Sequence, residues 1–274
     1  MIIREVKAKS IITKSNLPAV DYVINPYIGC SHSCIYCYAS FMKRFTGHHE
    51  AWGTFLDIKI NAVDLIPQKS KKYHGKYLYL SSVTDPYLPQ ENKYKLTRHI
   101  LEKLVPLRPH IGIQSKSDLI VRDIDFLKQF PLCEAGLTIT TLDDGVRKEI
   151  EPHAASVYKR IEALKELKKA GLTTYVFIGP ILPLITDWKE IILETKPFID
   201  SYMFENLNMY WMTAKNIYQW IKKSHPDLLG NYQSIFAKTS LYWNHVEQEI
   251  RNFCQENGID GRVFFHHAGI KKNR

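Results

Sequence analysis

The sequence predicts an α/β fold built on a parallel sheet, and two observations carry that expectation. From residue 21 to residue 206, strand-length apolar runs alternate with helical patterns of about ten or more residues. Strands joined by helical crossovers pair in parallel and wind in one direction. The second observation is negative: no G-x-G-x-x-G follows the first strand, unlike a doubly wound nucleotide-binding sheet.

Residues 1–20 read as an extension with one short strand over 5–12. A first strand over 21–24 stops at Asn25-Pro26, and a helix is expected over 38–46, ended by Gly47. His48, His49 and Glu50 read as a solvated loop rather than a metal site. The alternation over 55–60 predicts an edge strand, Asn61 a cap for a short helix toward Pro67, and 69–72 a charged connection. Further strands are expected over 76–83, 110–114, 135–140, 173–178 and 201–206, the fifth breaking at Gly179-Pro180. Helices are expected over 97–105, 118–130 and 187–196, and around Val157, Ile161, Leu164 and Leu167, with Gly171 as C-cap. Residues 1–206 then form one unit and 207–274 a mostly helical extension. Val246, Ile250, Phe253 and Cys254 form one apolar stripe there, which makes Cys254 a core residue. Cys133 falls before the fourth strand.

The chain has 274 residues, 45% hydrophobic and 24% charged, as expected of a soluble globular protein. No run of 18 apolar residues predicts a membrane span, and the N-terminus lacks a secretory signal. Clustered cysteines without an even framework point to a reducing cytoplasm. The net charge of +9 raises the prospect of a polyanionic partner, a nucleic acid above all.

Three of the five cysteines, Cys30, Cys34 and Cys37, stand in a C-x3-C-x2-C run. Chance gives both spacings roughly once in six hundred such chains. Thiolates are the ligands that iron–sulfur clusters and zinc select. A [4Fe–4S] cube normally takes four; three would leave one iron open for something other than protein. A structural Cys3His zinc site, completed by His32, His48 or His49, is the rival. Tyr36 between the ligands, Tyr38 after them and Gly29 before them argue against it.

The spacing C-x3-C-x-aromatic-C resembles the signature of radical S-adenosylmethionine (SAM) enzymes. The longer string NPYIGC-x3-CIYCYA resembles the spore photoproduct lyase-like branch. LSSVTDPY, SKSDLIVRDIDFL, TITTLD with EPHAAS, and IGPILP resemble further blocks of that branch, over roughly residues 8–190. The resemblance implies a partial (β/α)6 TIM-like barrel, open on one side. It also implies a [4Fe–4S] cluster whose open iron holds the methionine end of SAM, and a one-electron reductant, flavodoxin- or ferredoxin-like. Reductive cleavage then gives a 5′-deoxyadenosyl radical that takes hydrogen from substrate.

In parallel β/α barrels the site lies at the C-terminal strand ends. Those ends offer Ser82, Thr84 and Asp85; Gln114 and Lys116; Thr138 and Thr140; Glu205 and Asn206. The resemblance implies SAM contacts near Ser82 and Val83, at Lys116 and at Thr140, with Tyr36 and Tyr38 near the cofactor. In spore photoproduct lyases the second strand ends in a cysteine that returns a hydrogen atom to the repaired thymine. Aligned through Asp85, that position is Ser82, whose O–H is too strong for the task, so the resemblance does not extend to that repair reaction. The substrate stays open among a nucleic acid, a protein and a small molecule. A non-catalytic cluster or zinc module that binds nucleic acid explains the charge and cysteines but not the polar strand ends.

Overall fold

The structure is a computed structural model that describes residues 1–209 and 211–266. Its strands are β1 (Ile2–Val6), β2 (Ile12–Lys14), β3 (Tyr22–Ile24), β4 (Tyr27–Gly29), β5 (Phe55–Lys59), β6 (Tyr77–Leu80), β7 (His110–Ser115), β8 (Leu132–Thr138), β9 (Thr173–Ile181), β10 (Ser201–Asn206) and β11 (Gly261–Val263). The main sheet runs β11-β10-β9-β8-β7-β6-β3-β2. From β3 to β11 every pairing is parallel; β2 alone is antiparallel, at one edge. The six strands β3 and β6 to β10 are the six that the alternation predicts, and they form the TIM-like partial barrel of the fold class.

Side-chain alternation explains the layering. Leu78, Leu80, Ile111, Ile113, Ala135, Leu137, Val176, Ile178 and Phe204 are all fully buried in the main core. They share that core with Ile100, Leu101 and Leu104 of the helix Leu96–Leu104 and with Ile161, Leu164 and Leu167 of Val157–Lys169. The other face carries Tyr77, Tyr79, Gln114, Glu134 and Tyr175. There Tyr79 Oη lies 3.4 Å from Tyr175 Oη, although β7 and β8 separate their strands. In a flat sheet those strands would stand about 14 Å apart. The sheet therefore curls, and this face is the inside of the curl. Gly136 makes room for it, because a Cβ there would lie 2.3 Å from the Tyr175 ring.

Several expectations need correction. The strand expected over 5–12 is two strands, β1 and β2, because Val6 and Ile12 pair with different partners, β5 and β3. β5 is not an edge. It is the middle strand of a small sheet β1-β5-β4, and its first four residues are buried. Asn61 caps no helix; its side chain bonds both the N–H and the C=O of Ala8, at 2.8 and 2.9 Å. Residues 38–45 wind as a 3₁₀ helix, as do 118–123 ahead of a short α-helix, Ile124–Leu127. β9 runs on through a cis Gly179-Pro180 peptide to Ile181, and Cys133 lies within β8 rather than before it.

The C-terminal part is helical, as expected, with helices Trp211–Ser224, Leu229–Ile235 and Tyr242–Glu256. Val246, Ile250 and Cys254 are buried in the main core, with Phe253 packed against it. The chain then returns as β11 to extend the main sheet. The last eight residues lie outside the described residues. No helix among the described residues is long and apolar enough to cross a membrane.

Candidate functional site

The cysteine loop leaves β4 through Gly29 at φ +90°. A Cβ there would lie 2.5 Å from the Phe55 carbonyl oxygen, so only glycine lets the loop start this close to β5. Thr84 Oγ1 donates to the Gly29 carbonyl at 2.6 Å, tying the loop to the end of β6. Ser33, at φ +56°, donates to the Gly53 carbonyl at 2.8 Å, and the Ile35 N–H donates to the Ile150 carbonyl at 3.0 Å. Cys30 is buried, Cys34 and Cys37 are partly buried, and all three are free thiols.

Two walls hold the loop. On one side Cys30 packs with Leu56 and Ile58 of β5, beside Trp52. On the other, Cys34, Ile35 and Tyr36 pack with Ile150, Leu182, Ile217, Trp220 and Ile221, so the helix Trp211–Ser224 covers this flank. Among the described residues no three His, Cys, Asp or Glu side chains form a ready-made metal cage. The donor chemistry nevertheless fits a cluster. Burial pushes all three thiols up, so thiolates here need a cation to offset the loss of solvent, which a bound metal supplies. Backbone N–H groups already face two sulfurs: that of His32 faces Cys30, and those of Ala39 and Ser40 face Cys37.

The strand ends converge on this loop through two buried carboxylates. Asp85 accepts from Ser115 Oγ at 2.7 Å, the Tyr87 N–H at 2.8 Å and the Lys116 N–H at 2.9 Å. His32 Nε2 lies 3.2 Å from Asp85 Oδ2, close enough for an ion pair but not aligned for a hydrogen bond. Burial would raise the Asp85 carboxyl, but His32 and these donors hold it down at about 2. Glu151 is fully buried and accepts from Tyr36 Oη and Arg160 Nη2, with Thr140 Oγ1 at 3.4 Å. Burial works against its charge too, and Arg160 and Lys116 keep it below the usual range.

The Lys116 ammonium lies 5.7 Å from the centre of the Tyr36 ring. Burial would lower it, but Cys34 and Glu151 hold it above its ordinary value. Tyr38 is 51% exposed and donates from its hydroxyl to the Ser82 carbonyl. Ser82 Oγ accepts from Asn25 Nδ2 at 3.3 Å, and the Val83 N–H donates to Asn25 Oδ1 at 3.1 Å. Ser81, just before them, adopts φ +68° with a buried, unpaired hydroxyl, a strained turn at the strand end.

Cys30, Cys34, Cys37, Tyr36, Tyr38, Ser82, Val83, Lys116 and Thr140 thus gather round one mouth of the curled sheet. Sequence reasoning gives Asn25, Glu151 and Arg160 no place in the site and weighs His32 only as a zinc ligand. Glu151 lies in the EPHAAS block, and Asn25 stands five residues before Cys30; both signals were in the sequence.

A curled parallel sheet whose strand ends face three loop thiols defines an enzyme class. Residues 24–195 match the Radical SAM superfamily domain, and the chain belongs to that superfamily. It is therefore an enzyme of the radical SAM class, whose members use SAM and an iron–sulfur cluster. The chain is 42% identical over 237 residues to the protein MJ0683 of Methanocaldococcus jannaschii, covering 86% of this chain and 88% of that one. It is 30% identical over 169 residues to the Radical SAM Nalpha-GlyT isomerase of Pseudomonas phage M6, covering 61% of this chain and 34% of the phage protein. Spore photoproduct lyase complexed with dinucleoside spore photoproduct has the same fold. The TM-score is 0.70 over 96% of this chain and 82% of that one, at 13% identity.

Proposed function

We propose that Cys30, Cys34 and Cys37 hold a [4Fe–4S] cluster, leaving one iron for SAM, and that the enzyme abstracts hydrogen from a nucleic-acid substrate. The observation that carries the reading is three free thiols on one loop, set against the Lys116–Glu151–Arg160 charge network. When bound, the cluster and SAM supply a 5′-deoxyadenosyl radical after one-electron reduction.

The chain's own residues bind, orient and exclude water. Lys116, a compact positive charge beside Cys34, suits the carboxylate of SAM. Glu151 and Arg160 hold the Tyr36 hydroxyl and Thr140 in place beneath the loop. Tyr36 is buried in the flanking apolar cluster, so Tyr38, with half its surface exposed, is the ring with a free face for a base. Ser82 and Val83, braced by Asn25, shape the adjoining strand end. Ile217, Trp220 and Ile221 keep water from the Cys34 flank.

A nucleic-acid substrate is supported by the net charge of +9 and by the fold shared with an enzyme that holds a dinucleoside. A peptide substrate is the second reading. It is favoured by a more distant fold relative, SuiB bound to precursor peptide SuiA, at TM-score 0.52. We take residues 1–206 as the catalytic unit and 207–274 as a cover that influences substrate choice. The free thiols suit a reducing cytoplasm. The test is anaerobic reconstitution, then incubation with reductant, SAM and deuterated oligonucleotides. The expected result is a SAM-dependent change in the EPR signal and deuterium in 5′-deoxyadenosine. A cluster indifferent to SAM would sink the catalytic reading, and deuterium arriving only from peptides would move the substrate to the second one.

A further inference from the structure

The residues that follow the cysteine loop, Tyr38–Phe45, wind at three residues per turn rather than as an α-helix, and that pitch decides where their side chains stand. In a 3₁₀ helix side chains at i and i+3 eclipse, so Tyr38, Phe41 and Arg44 form one row. The contacts follow it. The Tyr38 and Phe41 rings stack with centroids 6.5 Å apart and 29° between their planes. The Arg44 guanidinium lies 5.5 Å from the centre of the Phe41 ring and 4.6 Å from that of Phe45. Ala39 and Ser40 of the same helix are buried, while Tyr38 is 51% and Phe45 66% exposed. The row starts at the mouth of the site, where the Tyr38 hydroxyl bonds the Ser82 carbonyl. At a rise of about 2 Å per residue it runs about 12 Å from there to Arg44. A lone exposed phenylalanine is ordinary; three rings in sequence with a guanidinium between two of them are a built surface.

We propose that this row is a stacking platform for an unpaired strand of nucleic acid, which it leads into the mouth. The proposal rests on the nucleic-acid reading above and narrows it to unpaired strands. Charge supports it. Residues 38–49 carry Lys43, Arg44, His48 and His49 and no Asp or Glu. Lys43 Nζ donates to the His49 carbonyl at 2.8 Å. Among the described residues neither Lys43 nor Arg44 pairs with a carboxylate, whereas Arg98, Arg122, Arg147 and Arg160 each do. The carboxylate that acts on Tyr38, Glu205, is engaged by His266 Nε2 at 3.4 Å. A partner that covers the rings also covers Arg44. An apolar partner would leave that charge buried and unpaired, at a large cost. A nucleic-acid strand brings flat faces for the rings and phosphate oxygens for Arg44 and Lys43 together, and guanidinium planes themselves stack bases. In a duplex the base faces are spent on one another; only an unpaired strand has them free. The row's length of about 12 Å matches three to four base steps of about 3.4 Å each.

The test is fluorescence anisotropy of the reconstituted full chain with labelled oligonucleotides of one mixed sequence: single-stranded DNA, single-stranded RNA and duplex DNA. The wild-type protein should bind at least one single strand at least about fivefold more tightly than the duplex. Phe45→Ala should lose roughly five- to a hundredfold in single-strand affinity and little in duplex affinity. Its iron content, melting temperature and dithionite-driven SAM cleavage should not change. Phe45→Trp should bind at least as well as the wild type, a rescue that a merely structural role for the ring would not give. Arg44→Gln should flatten the dependence of log affinity on log salt by about 0.7, one phosphate contact to a single strand. Equal affinity for single strand and duplex, or an unchanged single-strand affinity in Phe45→Ala, overturns the platform and leaves the nucleic-acid reading in place. A wild-type protein that binds none of the three oligonucleotides overturns both. Binding to phosphatidylserine vesicles that Phe45→Ala abolishes, with no affinity for either strand, would make the row a membrane contact and overturn the platform as well.

Discussion

Asp85 Oδ2 accepts the backbone N–H of Lys116 at 2.9 Å, so one carboxylate at the end of β6 fixes the residue that follows β7. The other oxygen takes Ser115 Oγ and the Tyr87 N–H. Two strand ends and the His32 ring are thus set by a single buried charge.

That charge makes stability depend on acid. Burial opposes it, but His32 and the three donors hold the folded carboxyl at about 2, against about 3.9 in an unfolded chain. The folded value is the lower one, so the contribution is complete above about pH 4 and fades as pH falls toward 2. Its size is about 2–3 kcal/mol. Urea unfolding from pH 5 to pH 2 should show Asp85→Asn less stable at pH 5 and with a flatter acid slope. Parallel slopes in the two proteins would mean that Asp85 does not titrate differently on folding.

Alanine at Cys30, Cys34 or Cys37 should abolish reductive SAM cleavage. Cys133→Ala and Cys254→Ala should retain a normal iron count, since both thiols sit in the main core. Continued 5′-deoxyadenosine production by Cys34→Ala would refute the ligand assignment, as would loss of iron from either core variant.

Lys116→Ala should weaken SAM binding roughly ten- to a hundredfold, the worth of one charge-assisted hydrogen bond. Iron content should not change, because Asp85 holds the Lys116 backbone rather than its ammonium. Equilibrium dialysis with labelled SAM measures this directly, and equal affinities would reduce Lys116 to a loop residue.

Glu151→Ala strands Arg160, which is 1% exposed, without its carboxylate. Removing one partner of a buried pair costs about 3–5 kcal/mol. Replacing both, as Glu151→Leu with Arg160→Met, should recover much of the loss in denaturant titrations. If the double variant is no more stable than the single one, the penalty comes from lost bonds to Tyr36 and Thr140 instead.

Ser82, at the position where the resemblance implies a cysteine in spore photoproduct lyases, offers no weak S–H bond. Anaerobic incubation with reductant, SAM and DNA bearing spore photoproduct should consume SAM without multiple-turnover recovery of thymines. Recovery at a lyase-like rate would show that another group returns the hydrogen.

Much of this was legible because it is periodic or local. The six barrel strands follow from alternation, and the thiols from their spacing. What escaped was set by contacts distant in sequence. Asn61 looked like a helix cap because Asn often is one, but its amide is taken by Ala8, 53 residues away. β5 looked like an edge because Asp57 and Lys59 break its apolar run, yet Asp57 is buried with its carboxyl group 2.9 Å from His48 Nε2. That pairing also gives His48 a structural role within the His-His-Glu cluster. Glu151 and Arg160 form a pair across a loop and a helix, and no pattern along the chain marks which glutamate will be buried. β11 is three residues long, recognisable only once β10 is there to receive it.

The helix that covers Cys34 has an implication for the order of assembly. Residues 30–37 leave the ribosome about 180 positions before Ile217 and Ile221, which at 5–20 residues per second is roughly ten to forty seconds. Until then the flank of the loop formed by Cys34, Ile35 and Tyr36 has no lid. Iron and sulfide delivered to the nascent chain would meet a loop open on that flank as well, whereas in the finished chain the helix closes it and leaves the mouth as the way in. Stalled chains ending near residue 200 should therefore load faster than the released protein, and slower loading would point to insertion after synthesis.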